Sequence, residues 1–387
     1  MDFSLTPDQQ EMQDAARTYA QARLPEIADE IEKTTQPPTH ELIREYAEMG
    51  FLGINIPESL GGLGRSSLDA LIVLEEFGKI SSAIAFPVFE SCTGPVKAIE
   101  HFGSDALKAR VVPAVCGGEM VVAIAMSEPN AGSALTDLTT RAEKSSGGVV
   151  LNGMKRWCSG GGHADGYLVY CRMSDQPGAK GIGAVFVDKD TPGVSFGEQE
   201  ALMGFRGVPS SDIFFDNVEL PEENVVVGAG GFGKLMQAFD LERCGNATMA
   251  MAQAAGALNE VLAYVQERKQ FGKPIVDFQA VQLRLAEMQM QVDAARLLIH
   301  RAISDAEAGM PSIQNSSIAK CFANEIARTV TGNAVQLMGG YGYSKEYRIE
   351  RRMRDAWGWG IAGGAIDIQK TNIASAMVGR RFNQRAQ

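Results

Sequence analysis

A chain of 387 residues is longer than one ordinary core fills, which predicts two or three domains. The apolar and charged fractions, 45% and 21%, are those of a globular protein, and the net charge of −11 argues against a nucleic-acid partner. Cys92, Cys116, Cys158, Cys171, Cys244 and Cys321 show no metal-binding spacing and the four histidines do not pair with them, which predicts reduced thiols and no structural metal.

Met1-Asp2-Phe3-Ser4 offers neither a basic nor an apolar leader, and no stretch approaches membrane-spanning length, so a cytoplasmic protein without membrane insertion is expected. Thr6-Pro7-Asp8-Gln9 reads as a helix start, with Thr as N-cap, Pro at N1 and Gln at N3. Residues 1–120 read as helices broken by Pro37-Pro38 and Gly61-Gly62-Leu63-Gly64. Residues 121–232 carry short β-rich runs at 149–151, 166–170, 184–187 and 213–215. Asn152-Gly153, Gly178 and Asp190-Thr191-Pro192-Gly193 read as the turns between them. Residues 233–387 return to helix, with long segments near 233–268, 278–308 and 313–338 that suggest an antiparallel bundle. The expected class is α+β: a helical N-terminal domain, a middle β-domain and a C-terminal four-helix bundle.

Several motifs carry chemistry. Ala125-Met126-Ser127-Glu128-Pro129-Asn130-Ala131-Gly132-Ser133 combines tight-turn residues with hydroxyls that can bond a heterocycle edge. Asn152-Gly153-Met154-Lys155-Arg156-Trp157-Cys158-Ser159 follows, with an aromatic ring beside a hydroxyl. Gly228-Ala229-Gly230-Gly231-Phe232-Gly233 satisfies the dinucleotide fingerprint GxGxxG, but the chain then stays helical for too long to close a βαβ unit. Glu267-Arg268-Lys269-Gln270-Phe271-Gly272-Lys273-Pro274, followed by Phe278-Gln279, supplies an arginine suited to a pyrophosphate. Gln336-Leu337-Met338-Gly339-Gly340-Tyr341-Gly342 lets backbone approach a ligand closely at Gly340.

Taken in this order, these motifs resemble the signatures of the flavin-dependent acyl-CoA dehydrogenase family over essentially the whole chain. The resemblance implies FAD as cofactor, an acyl-CoA thioester as substrate, an electron-transfer flavoprotein or similar acceptor, and a homotetramer built as a dimer of dimers. It implies that Met126 and Ser127 line the flavin, that Ser133 bonds the CoA arm and borders the cofactor, and that Trp157 and Ser159 meet the isoalloxazine ring. It implies that Arg268 and Phe271 reach the FAD of a neighbouring subunit, that Gly340 lets backbone approach the diphosphate and adenine half, and that Gln279 and Gln336 also bind the cofactor. One departure is Ala134, where the family usually has Asp.

A second departure concerns the base. Arg354-Asp355-Ala356 leads in the family to a Glu-Gly-Thr, yet the Glu slot here is Gly363, which cannot take a proton. Its backbone N–H could still serve the thioester oxygen. A branch similar to isovaleryl-CoA and long-chain acyl-CoA dehydrogenases lacks that Glu and carries its base in Leu-x-x-Glu-Arg. The segment Phe239-Asp240-Leu241-Glu242-Arg243 resembles it, with Phe239 at the Leu position, so Glu242 is expected to take the α-proton while flavin N5 accepts the β-hydride. Glu242 lies in a helical stripe with Leu235, Phe239, Asn246 and Met249 and has no cation three or four residues away. Desolvation there would raise its pKa. Asp367, one turn beyond Gly363, is a second candidate or a solvated capping residue. Glu90 is a third: an exposed loop carboxylate, a contact for a polar acyl tail, or a base. Asp240 and Arg243 are expected on the CoA arm or as an ordinary i, i+3 pair. An enoyl-CoA reductase of the same family, resembling those acting on crotonobetainyl-CoA, and an inactive CoA-binding member remain open readings.

Overall fold

The computed structural model describes residues 3–306 and 310–382. The capping box at Thr6 forms as its residue types dictate: Thr6 Oγ1 accepts from the Gln9 N–H at 3.3 Å, and Gln9 Oε1 accepts from the Thr6 N–H at 3.1 Å. It opens α1 (Pro7–Arg23), followed by α2 (Pro25–Thr34), α3 (His40–Glu48), α4 (Ser67–Gly78), α5 (Ser82–Cys92), α6 (Val96–Phe102) and α7 (Asp105–Cys116).

Eight strands then form one sheet: β1 (Val122–Ala125), β2 (Arg141–Ser145), β3 (Gly148–Ser159), β4 (Gly166–Arg172), β5 (Ile182–Asp188), β6 (Val194–Phe196), β7 (Ser210–Pro221) and β8 (Val225–Val227). Their order is β6-β7-β3-β2-β4-β5-β8, with β1 parallel to β4. Asn152-Gly153 is not a turn. It lies inside β3 at a break in the β3–β7 register, where Gly153 (φ +135°) passes so close to Thr140 that a Cβ would fall 2.7 Å from its Cα. The local pattern named a hairpin, and the register with β7 imposed a bulge instead.

The chain returns to helix in α8 (Phe232–Glu267), α9 (Gln279–Ser304), α10 (Ile313–Met338), α11 (Gly340–Tyr343), α12 (Ile349–Trp359) and α13 (Ile366–Val378), with a two-stranded hairpin at 269–274 between α8 and α9. The GxGxxG run links β8 to α8, which spans 36 residues and leads into that hairpin rather than back to the main sheet. No helix among the described residues is long and apolar enough to cross a membrane.

The loop after β1 is tied to β3 by a buried ion pair. Lys155 Nζ donates to Glu128 Oε1 at 2.8 Å and to the Met126 carbonyl at 3.1 Å. Glu128 also accepts from the Thr139 N–H and hydroxyl and from the Thr140 N–H. Burial alone would raise the Glu128 carboxyl, but Lys155 and these donors outweigh it and hold it at about 2. A depressed carboxyl pKa stabilises the fold above the ordinary value near 4.3, and that contribution fades as pH falls towards 2. Lys155→Met leaves the Glu128 charge buried without its cation and should cost about 3–5 kcal/mol in chemical denaturation.

Candidate active site

Glu242 sits in the third turn of α8, and Leu235, Phe239, Asn246 and Met249 of its stripe are all buried with it. Glu242, 8% exposed, lines a small cavity of about 10 Å³, bordered also by Gly94, Pro95, Ile124, Tyr170, Leu235 and Phe239. Among the described residues no hydrogen bond reaches either Glu242 oxygen. Burial pushes this carboxyl up to about 8, against the opposing pull of Lys320 and Arg243.

Lys320, which the sequence did not single out, also stands beside Glu242. It is fully buried on α10 and comes within range of Glu242 although 78 positions separate them. Burial and the nearby Arg243 push its ammonium down, while Glu242 pulls the other way and favours the charged form. Lys320 Nζ donates to the Ala362 and Gly363 carbonyls at 2.6 and 2.5 Å. Asn246 Nδ2 donates to the Trp359 and Ala362 carbonyls, and its own oxygen accepts from Asn324 Nδ2 at 2.9 Å. The turn from 359 to 364 is thus moored to α8 and α10. Gly363 sits there in the left-handed region, φ +63°, where a Cβ would lie 3.1 Å from Lys320 Nζ. Among the described residues the Gly363 N–H has no acceptor. The one available signal was a lone charged residue among the uncharged ones of Ser316–Asn324.

Glu90 belongs to α5 and is 5% exposed, so the exposed-loop alternative is wrong: the Phe86–Ser91 segment is a buried helix that carries Pro87 within it. Asp367 is exposed on the first turn of α13. Asp240 and Arg243 form a buried i, i+3 pair, and Asp240 also accepts from the Ser316 hydroxyl at 2.6 Å. That is the ordinary helix pairing left open by the sequence.

The two predicted flavin segments lie side by side. The Arg156 N–H donates to the Ser127 carbonyl at 2.9 Å, and Lys155 holds the Met126 carbonyl. Ser127 and Ser159 are half-buried, and Ser133 is exposed at the loop's end. Trp157 takes the left-handed backbone, φ +62°, at a second register break in β3, and its ring stays 53% exposed with the Arg156 guanidinium 4.3 Å from its centre. A bulky residue in that conformation is strained, and the strain turns the ring out of the sheet. Hydroxyls, an available aromatic face and a rigid backbone edge fit a planar heterocycle such as a flavin.

The remaining predicted cofactor residues are elsewhere. Arg268 follows the end of α8, about 39 Å from Glu242 at 1.5 Å per residue. Phe271 nearby is 93% exposed and packs on Phe278, and Arg268 lies over Tyr341. Gln279, Gln336 and Gly340 are exposed as well. One chain therefore does not bring Arg268 and Phe271 to Glu242. A larger open depression of about 500 Å³ includes Arg141 and Arg172, but Arg141 pairs with Glu143 and Asp175, and Arg172 bonds the Thr136, Leu138 and Gln176 carbonyls.

Helical domains flanking a β-domain, with a buried carboxyl and a pocket edge suited to a flavin, define the class as a flavoprotein oxidoreductase. The chain belongs to the acyl-CoA dehydrogenase family, whose members bind FAD. The model of the acyl-CoA dehydrogenase N-terminal domain matches residues 6–119, that of the middle domain 123–218 and that of the C-terminal domain 229–378. The chain is 35% identical to a 3-sulfinopropanoyl-CoA desulfinase of Advenella mimigardefordensis, covering 99% of this chain and 96% of that protein. It is 37% identical to an acryloyl-CoA reductase (NADH) of Anaerotignum propionicum, covering 98% and 97%. The solved butyryl-CoA dehydrogenase of Megasphaera elsdenii superposes with a TM-score of 0.94 at 33% identity, covering 98% of this chain and 100% of that one.

A carboxyl lifted to about 8 acts as a base only above that value, so flavin reduction by acyl-CoA at limiting substrate should rise with pH through about 8. Lys320→Met removes a cation that favours the carboxylate, while Arg243, Glu90 and Tyr170 stay in place around it. The rising limb should therefore move to higher pH; a limb that stays put while the rate falls would mean that Lys320 acts only on the turn.

Proposed function

We propose that this protein is an FAD-dependent acyl-CoA dehydrogenase whose base is Glu242. The observation that carries the reading is a buried, unbonded carboxyl on the cavity wall, next to a turn at 363 that offers only backbone. Glu242 takes the proton from the carbon beside the thioester carbonyl. The Gly363 N–H bonds the thioester oxygen and steadies the charge that develops there. When bound along Met126, Ser127, Trp157 and Ser159, FAD supplies the electron sink for the hydride of the neighbouring carbon.

The chain's own residues make this possible in three ways. Burial keeps the Glu242 carboxyl basic. Lys320 and Asn246 fix the 359–364 turn so that its N–H needs no reorganisation. The Lys155–Glu128 pair fixes the flavin edge. Ser133 is proposed to bond the CoA arm, with Asp240 and Arg243 shaping the wall beside it. Arg268, Phe271, Gln279, Gln336 and Gly340 stand too far from Glu242 for the same chain's cofactor, which supports a homotetramer in which a neighbouring copy supplies them. An electron-transfer flavoprotein is the proposed acceptor, in the cytoplasm.

A second reading, reduction of an enoyl-CoA, is favoured by the similarity to a protein named acryloyl-CoA reductase. The same residues serve it, with Glu242 returning the proton. Assays in both directions with an electron-transfer flavoprotein separate the two.

Glu242→Gln should lose about 10²–10⁴-fold in turnover, the usual contribution of a general base, while the purified protein keeps its flavin absorbance. Near-normal turnover in that variant would remove Glu242 from the mechanism.

A further inference from the structure

Glu90 is a buried acid that the chemistry above does not use. Its Oε2 is wholly shielded and has no hydrogen-bond partner among the described residues. Buried polar atoms in folded proteins are almost always paired, and an exception calls for a missing partner. The position is built to hold the carboxyl: Gly94, which borders the cavity, leaves room where a Cβ would fall 2.2 Å from Glu90 Oε2. The helix bearing Glu90 is pressed onto the helix bearing Glu242, because Gly245 of α8 would place a Cβ 2.3 Å from the Thr93 hydroxyl and 2.9 Å from the Phe89 ring. Glu242 lines the cavity, Glu90 stands directly behind its wall at Gly94, and Glu242 is close enough to act electrostatically on Glu90.

We propose that Glu90 recognises the far end of the acyl chain, and that the preferred substrate is a short acyl-CoA whose tail carries an uncharged hydrogen-bonding group, a hydroxyl above all. The inference rests on the reading of this cavity as the acyl site. Burial and the charge of Glu242 keep Glu90 protonated well above the usual carboxylate range. A protonated carboxyl both donates and accepts, so it matches a hydroxyl, which does the same. An anionic tail fits poorly, since no residue bordering the cavity is a Lys, Arg or His that could pair with it. In this respect the site departs from what the name of the sulfinopropanoyl-CoA relative implies for that protein.

The experiment measures flavin reduction of the holoenzyme by 4-hydroxybutyryl-CoA, pentanoyl-CoA and succinyl-CoA, which have tails of similar length and different polarity. The wild-type protein should favour 4-hydroxybutyryl-CoA over pentanoyl-CoA by about tenfold, the scale of one buried hydrogen bond, and should react least with succinyl-CoA. Glu90→Leu should lower that hydroxyl-to-alkyl ratio by about tenfold. Glu90→Gln retains a donor and an acceptor and should hold the ratio within about threefold of wild type. Ratios that are equal in all three proteins, or a wild-type preference for succinyl-CoA, overturn the assignment of Glu90. Absence of flavin reduction by every one of these thioesters and by apolar chains of other lengths overturns instead the dehydrogenase reading on which it rests.

Discussion

The arrangement around the cavity depends on the cost of holding a carboxyl away from water. Glu242 has no cation three or four residues away on its helix and no hydrogen-bond donor among the described residues, so burial dominates its titration. Lys320 and Arg243 reduce that cost without cancelling it, because each is committed elsewhere: Lys320 to two carbonyls of the 359–364 turn, Arg243 to Asp240. A tighter ion pair would make a more stable but weaker base. The site thus trades local stability for basicity, as perturbed groups at functional sites commonly do.

The rest of the fold serves that compromise. The 359–364 turn comes from the C-terminal helices, the cavity wall from the link at Gly94-Pro95, α6, β1 and β4, and the carboxyl from α8. Their mutual placement requires close contacts such as those of Gly245 with Thr93 and Phe89. The β-domain contributes a second, independently stiffened surface. There the ion pair of Lys155 and Glu128 is fully satisfied, in contrast to the unpaired Glu242, and one of its functions is to hold the carbonyl of Met126. One buried carboxyl has every lone pair used; the other has none used among the described residues.

Features encoded over a few residues were legible in the sequence. The Thr6-Gln9 capping box, the extents of α8 and α10 and the buried stripe through Glu242 follow from local spacing and side-chain type, and the structure has them. Where the determinant was non-local, the sequence misled. Asn152-Gly153 has the composition of a hairpin turn, yet pairing of β3 with β7 runs straight through it. Glu90 looked more like a loop acid than a binding residue, because its burial depends on α8, some 150 positions later in the chain. Lys320 carried almost no signal: its partners at 362 and 363 are carbonyl groups, which no side-chain pattern announces. The exposed set at Arg268, Phe271, Gln336 and Gly340 was recognisable by resemblance, and only the length of α8 shows how far it stands from Glu242 in one chain.

The central claim is that the proton chemistry left position 363 and resides at Glu242. Exchange of the thioester α-hydrogen with solvent deuterium, followed by NMR for a bound acyl-CoA, tests it without depending on the electron acceptor. Exchange should persist in Asp367→Asn and Glu90→Gln and fall at least about a hundredfold in Glu242→Gln. Exchange that survives in Glu242→Gln and disappears in either of the other two variants would contradict the account.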